Sequence, residues 1–150
     1  MEALFKEGVI GSLTLKNRVL MAGMETNTVG EDGMLTPKVF RFYEERAKGS
    51  VAMIMTGAFC VDKRGKTYAK QFMIDQDRLI PDLKRLAETI QAYNCKACLQ
   101  MMHGGRLAPS RFTGDTPVAP SGIPSLITRE APRELTKVEI HGIQLAFADR

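Results

Sequence analysis

The chain has 150 residues, 44% hydrophobic and 25% charged, the balance of a soluble globular domain with enough apolar side chains for a core. Its formal net charge of +4 comes from scattered basic residues with no recognition motif beside them, which argues against nucleic acid as a partner. No apolar run approaches the ~20 residues a bilayer span needs and no signal-peptide core follows the N-terminus, so a cytoplasmic protein is expected.

Residues 4–16 read as short extended pieces broken at Gly8 and Gly11, with Leu13-Thr14-Leu15 alternating as a strand does. Residues 18–24 form a mostly continuous apolar run, which predicts a strand buried on both faces, as in parallel sheets. Glu31-Asp32-Gly33 marks a turn. Thr36-Pro37 opens a helix, because threonine can cap the free amides and proline suits the first helical position. Val39, Phe40, Tyr43 and Ala47 share one face of that helix, and Gly49 terminates it. A second apolar strand, 51–55, closes in Thr56-Gly57-Ala58. Strand, helix and strand with short links form a βα unit feeding a parallel neighbour.

Residues 62–68 are a basic loop (Lys63, Arg64, Lys66) that reads as solvated surface. A second helix is expected from about Arg78 to Tyr93, with Leu79, Leu83, Leu86, Ala87 and Ile90 inward and Lys84, Arg85 and Glu88 outward. Pro81 falls in its first turn, where it is tolerated. The third strand, 95–102, delivers Gln100 to its end. Cys95 and Cys98 make a C-x-x-C only formally, since strand alternation turns their side chains to opposite faces. With Cys60 they number three, an odd count that fits reduced thiols, and no metal site is expected.

Residues 103–135 read as a long loop rich in Gly, Pro and Ser, and loops of that length are usually functional. Its segment Pro117-Val118-Ala119-Pro120-Ser121 is too apolar for a free linker and suits packing over a site. Thr136-Lys137-Val138-Glu139 is a capping-box pattern. It starts a third helix with Ile140, Ile143 and Phe147 on one face and His141 on the exposed side. The nine methionines, Met53 and Met55 among them, read as core filling.

Three βα units fit either an open doubly wound sheet or the start of a (β/α)8 barrel. No G-x-G-x-x-G follows the first strand, which weakens a dinucleotide-binding sheet. In both folds ligands sit beyond the carboxyl ends of the strands. Here those ends are Gly23-Met24-Glu25-Thr26, Thr56-Gly57-Ala58 and the run from Gln100 to Arg106. Small residues there admit a flat ligand, and a carboxamide can both donate and accept.

The motifs Leu15-Lys16-Asn17-Arg18-Val19, Phe42-Tyr43-Glu44-Glu45-Arg46-Ala47, Leu99-Gln100, His103-Gly104-Gly105-Arg106 and Pro117-Val118-Ala119-Pro120-Ser121 stand in this order. In them the chain resembles the old yellow enzyme family, nearest its 2,4-dienoyl-CoA reductase and bile-acid enoate reductase branch. The resemblance implies the N-terminal part of a TIM barrel, about three βα units and incomplete as a barrel, over residues 1–150. It implies FMN as cofactor, NAD(P)H as electron donor, and reduction of activated C=C bonds in an unsaturated carbonyl or enoyl thioester. Gln100 would meet the pyrimidine edge of the flavin, with Gly23, Met24 and Glu25 along the ring from the first strand and Ala58 from the second. His103 and Arg106 would mainly organise their loop. Glu25 departs from the Thr, Cys or His that relatives often carry. A carboxylate beside the ring disfavours anionic reduced flavin, an effect that vanishes if the group is protonated or turned outward.

A TIM barrel typically needs ~250 residues. Relatives place the substrate-anchoring His/Asn pair or acid Tyr on the fourth strand and bind the FMN phosphate after the seventh and eighth. The longer branch adds an iron–sulfur centre and an FAD region, and none of these is expected within this chain, so no catalytic residue is assigned. Two readings stand: an N-terminal piece of an FMN-dependent ene-reductase, or a non-catalytic half-barrel that self-associates as a homo-oligomer or borrows a partner's strands. A different flavin- or phosphate-binding barrel ranks third.

Overall fold

The structure, a computed structural model, describes residues 2–149. A single 3₁₀ turn, Glu2–Phe5, leads into an antiparallel hairpin of β1 (Gly8–Ile10) and β2 (Leu13–Leu15). Gly11 turns its corner at φ +57°, a conformation that costs glycine little. The exit of the hairpin is moored to distant backbone. Lys16 Nζ donates to the Tyr93 carbonyl and Asn17 Nδ2 to the Ser50 carbonyl, each at 2.8 Å, while Asn17 Oδ1 accepts from the Val19 N–H at 3.0 Å.

Three parallel strands follow, β3 (Leu20–Met21), β4 (Met53–Cys60) and β5 (Lys96–Met102), side by side in chain order. Helix α1 (Pro37–Lys48) joins the first pair and α2 (Ile80–Gln91) the second. Both helices pack into one core with Ile54 and Phe59 of β4. Right-handed crossovers between strands added in one direction put every helix on the same face. This is the wall of a (β/α)8 barrel, because a doubly wound sheet reverses its strand order and covers both faces. Among the described residues the wall does not close.

One-sided covering overturns the expected burial of strands on both faces. Leu20, Met24 and Met55 are 50, 58 and 37% exposed, so Met55 is not core filling. Strand β5 is half-buried or exposed throughout. On α1, Val39, Phe40, Tyr43 and Ala47 are all buried, as their spacing requires. Thr36 does not cap the helix: its hydroxyl donates to the Thr28 carbonyl at 2.6 Å instead. Pro37, with no N–H of its own, leaves one amide fewer to satisfy. Helix α2 starts at Ile80 rather than Arg78, because a 3₁₀ turn, Asp77–Leu79, precedes it.

The stretch expected as a long loop is locally folded. It contains a 3₁₀ turn (Gly105–Leu107), a one-turn helix α3 (Ser110–Thr113) and a parallel pair of β6 (Val118–Ala119) with β7 (Arg133–Glu134). Val118 and Ala119 are buried. Helix α4 (Lys137–Ala148) carries the full capping box: Glu139 N–H donates to Thr136 Oγ1 at 3.3 Å and Thr136 N–H to Glu139 Oε2 at 2.9 Å. Arg133, 2.6 Å from Glu139, and these Thr136 bonds pull the Glu139 carboxyl down to about 2. All three cysteines are free thiols. Among the described residues no helix is long and apolar enough to cross a membrane.

The decisive irregularity lies in β4. Pairing with β5 runs from Met53–Lys96 to Met55–Cys98, then resumes at Ala58–Gln100, so Thr56 and Gly57 oppose Leu99 alone. Such a bulge takes amides out of the ladder, and buried amides must find other acceptors. Gly57 N–H donates to the buried Tyr43 hydroxyl at 2.7 Å, and Gln100 N–H donates to Thr56 Oγ1 at 3.3 Å. Tyr43→Phe strands the Gly57 N–H in the core and should lower stability by about 1–3 kcal/mol with the fold retained. Urea denaturation followed by circular dichroism measures it, and an unchanged midpoint refutes the role given to the hydroxyl.

Candidate active site

The carboxyl ends of β3, β4 and β5 open on a cavity of about 630 Å³. Gly23, Met24, Glu25, Ala58 and Gln100, the residues singled out in the sequence, all line it. They arrive there by chain geometry. Gln100 is set opposite Ala58 by the register beyond the bulge. A Cβ at position 23 would collide with Gln100 Oε1 and lie 2.7 Å from the Thr56 carbonyl, so glycine is what lets the carboxamide lie against the first strand. That carboxamide has no hydrogen-bond partner among the described residues, which leaves its donors and acceptor for a ligand.

Glu25 turns toward the bulge. Its Oε1 accepts from Ala58 N–H at 2.5 Å, while its Oε2 is buried without a partner. Burial raises its carboxyl above the ordinary value, and the Ala58 bond offsets part of that rise. The carboxyl is therefore biased toward its neutral form. Tyr43, on the far side of the bulge, has its phenol raised chiefly by burial, with the Gly57 bond pulling the other way.

The opposite wall comes from segments whose role was not evident in the sequence. Gln71 is fully buried, and its Oε1 accepts from both Thr67 N–H and Thr67 Oγ1 at 2.7 Å. Its Nε2 donates to the Ala58 carbonyl at 3.2 Å, so both ends of the Ala58 residue are held by side chains. Thr67 and Tyr68, read from sequence as solvated loop, line the cavity, as do Arg111, Phe112, Ile127 and Thr128. A polar residue opening the apolar run Phe72-Met73-Ile74 was the one available signal for Gln71. The basic part of the same loop is self-contained, with Arg64 paired to Asp62 at 2.7 Å.

His103 lines the cavity and packs on Gly65, where a Cβ would sit 2.7 Å from its ring. Its Nδ1 accepts from Gly105 N–H at 3.1 Å, which leaves the ring proton on Nε2, and that atom is buried without a partner. Burial lowers the imidazole pKa, with Asp62 pulling the other way, a net shift that favours the neutral ring. The His103 bond to Gly105 and the Thr128 hydroxyl bonded to the Arg106 carbonyl at 3.3 Å both organise the loop.

A folded-state pKa raised above the unfolded one confers stability that is complete below the unfolded value and lost as pH rises through the folded value. Glu25 is such a group, and Glu25→Gln keeps an acceptor for Ala58 N–H while abolishing the titration. Urea midpoints measured from about pH 4 to 8 should show the native chain losing ground to the variant as pH rises. Parallel curves would contradict the raised carboxyl.

A family model described as NADH:flavin oxidoreductase / NADH oxidase matches residues 3–150. The chain is 40% identical to a metal reductase of Desulforamulus reducens, over 99% of this chain and 22% of that protein. It is 38% identical to an NADH oxidase of Thermoanaerobacter brockii, over 97% of this chain and 23% of that protein. Among solved structures, a 2-naphthoyl-CoA reductase in complex with 2-naphthoyl-CoA superposes with a TM-score of 0.91 at 28% identity, over 97% of this chain and 24% of that one. The chain thus spans less than a quarter of the length of each of these relatives.

Proposed function

Because this chain belongs to the NADH:flavin oxidoreductase / NADH oxidase family, we propose that its cavity forms one wall of an FMN site in an ene-reductase. Bound FMN supplies hydride chemistry, taking two electrons from NAD(P)H and delivering them to an activated C=C bond of an unsaturated carbonyl or enoyl thioester. The observation that carries the reading is the Gln100 carboxamide, held against Gly23 in the cavity with no protein partner. A flavin pyrimidine edge offers adjacent donors and acceptors, the complement of a carboxamide. The cavity chemistry fits such a ring: glycine and alanine on two strands, and a carboxyl and an imidazole both biased toward neutrality.

In this reading the chain's residues bind and orient. Gln100 holds the ring edge, and Gly23 and Ala58 admit its face. Glu25 fixes Ala58 through its N–H, and Gln71 fixes it through its carbonyl. Glu25 is turned to the bulge, and burial raises its carboxyl above the ordinary value, which weakens the expected lowering of the flavin potential. Support for the 2,4-dienoyl-CoA reductase and enoate reductase branch comes from length. The metal reductase and the NADH oxidase both continue for more than three-quarters of their length outside the match.

FMN titration of the purified chain, followed by flavin fluorescence, tests the site. Gln100→Ala should weaken binding by about 1–3 kcal/mol. An affinity that does not change refutes the Gln100 contact, and no binding by the native chain refutes an autonomous flavin site. The half-barrel reading is favoured by a separate observation: among the described residues no strand pairs with the outer edge of β5, and Leu99 and Met101 are each 38% exposed. Light scattering of the same sample decides it: a self-associated species supports edge pairing, and a monodisperse monomer removes it.

A further inference from the structure

The cavity wall carries a positive charge that nothing among the described residues neutralises. Arg111 sits on α3, a turn tied down from several directions. Ser110 N–H donates to Glu130 Oε2 at 3.0 Å, Gly114 N–H to the Ser110 carbonyl at 2.8 Å, and Thr113 Oγ1 to the Asp115 carbonyl at 2.9 Å. Gly114 closes the turn at φ +81°. The guanidinium carbon lies 4.7 Å from the centroid of the Phe112 ring, itself part of the wall. A ring face attracts the cation but accepts no in-plane hydrogen bond, so the exposed N–H donors of Arg111 have no protein partner among the described residues.

Arg41, Arg85, Arg106 and Arg129 also lack an ion pair among the described residues, but Arg111 is the one Lys or Arg that lines the cavity, and two further arginines are paired. Arg64 pairs with Asp62 at 2.7 Å and Arg133 with Glu139 at 2.6 Å. Within the cavity, Glu25 has given Oε1 to Ala58 and makes no ion pair with Arg111. A cation kept unpaired on a tethered turn, beside an aromatic face, is suited to an oxyanion brought in by a ligand.

We propose that Arg111 is the oxyanion anchor of this cavity, binding a carboxylate or phosphate group of the small molecule that occupies it. The oxyanion has two possible sources, a carboxylate on the unsaturated substrate or, against the placement after the seventh and eighth strands that the resemblance implies, the phosphate of the flavin. The substrate arm rests on the function proposed above, whereas the anion site itself does not.

Two matched pairs of probes separate the cases: trans-2-hexenoate against trans-2-hexenamide, and FMN against riboflavin. Each is titrated calorimetrically into the full chain and into Arg111→Gln and Arg111→Lys, with circular dichroism confirming that the variants fold. One anionic probe should bind about tenfold tighter than its neutral partner, and Arg111→Gln should erase that preference while Arg111→Lys keeps part of it. Loss of the hexenoate preference supports the proposal and assigns the anion to the substrate. Loss of the FMN preference supports it and assigns the anion to the flavin phosphate. A hexenoate preference alongside no binding of either flavin leaves the anchor standing and defeats the flavin reading. Preferences that survive in Arg111→Gln, or no preference for either anion in the native chain, overturn the proposal.

Discussion

Two consecutive backbone amides at the bulge of the central strand donate to side chains, and the site is arranged around those two bonds. Gly57 N–H goes to Tyr43 on α1 and Ala58 N–H to Glu25 beyond β3. A buried amide left bare costs about 1–3 kcal/mol, so these two bonds hold a helix and a strand-end loop against β4. The bulge also sets Gln100 opposite Ala58 and frees Thr56 Oγ1 to accept its N–H. One extra residue in one strand thereby positions the carboxamide, the carboxyl and the small-residue floor relative to one another.

The same arrangement sets the electrostatics of the cavity. Burial raises the carboxyl of Glu25 and lowers the imidazole of His103, each toward its uncharged form. A flat, neutral ligand meets little desolvation cost against such a wall. Arg111 is the contrast, placed on a turn at the rim rather than on a strand end, with its guanidinium over an aromatic ring. The apolar groove behind His103, lined by Val118, Ala119, Ile140, Ile143 and Phe147, remains open on the other side of the loop. That groove shows that the face predicted for α4 is the one turned toward β6.

Much of this was legible along the chain, because it depends on near neighbours. The inner face of α1 follows from the spacing of Val39, Phe40, Tyr43 and Ala47. The capping box at Thr136 needs only residues three apart, and it formed in full. Thr36 looked equally suited to capping, but its hydroxyl found the Thr28 carbonyl, a partner eight residues away that no local rule identifies. The exposure of Leu20 and Met55 was missed for a related reason. A continuous apolar run shows that both faces of a strand are apolar, not that both are covered.

By itself the sequence determined the βα succession, the helix faces, and the placing of Gly23, Met24, Glu25 and Gln100 toward the carboxyl side of the strands, through periodicity and strand direction. The strand expected to end at Met55 runs on past the bulge to Cys60, so Ala58 lies within it. Only the tertiary structure decided that Glu25 faces inward to an amide, that Gln71 braces Ala58 from the other side, and that Arg111 reaches the cavity from a loop. Each of these depends on backbone groups released by the bulge or on segments brought together from far apart in the chain. Hydrogen-bond satisfaction inside a core is a three-dimensional constraint, and a one-dimensional pattern does not contain it.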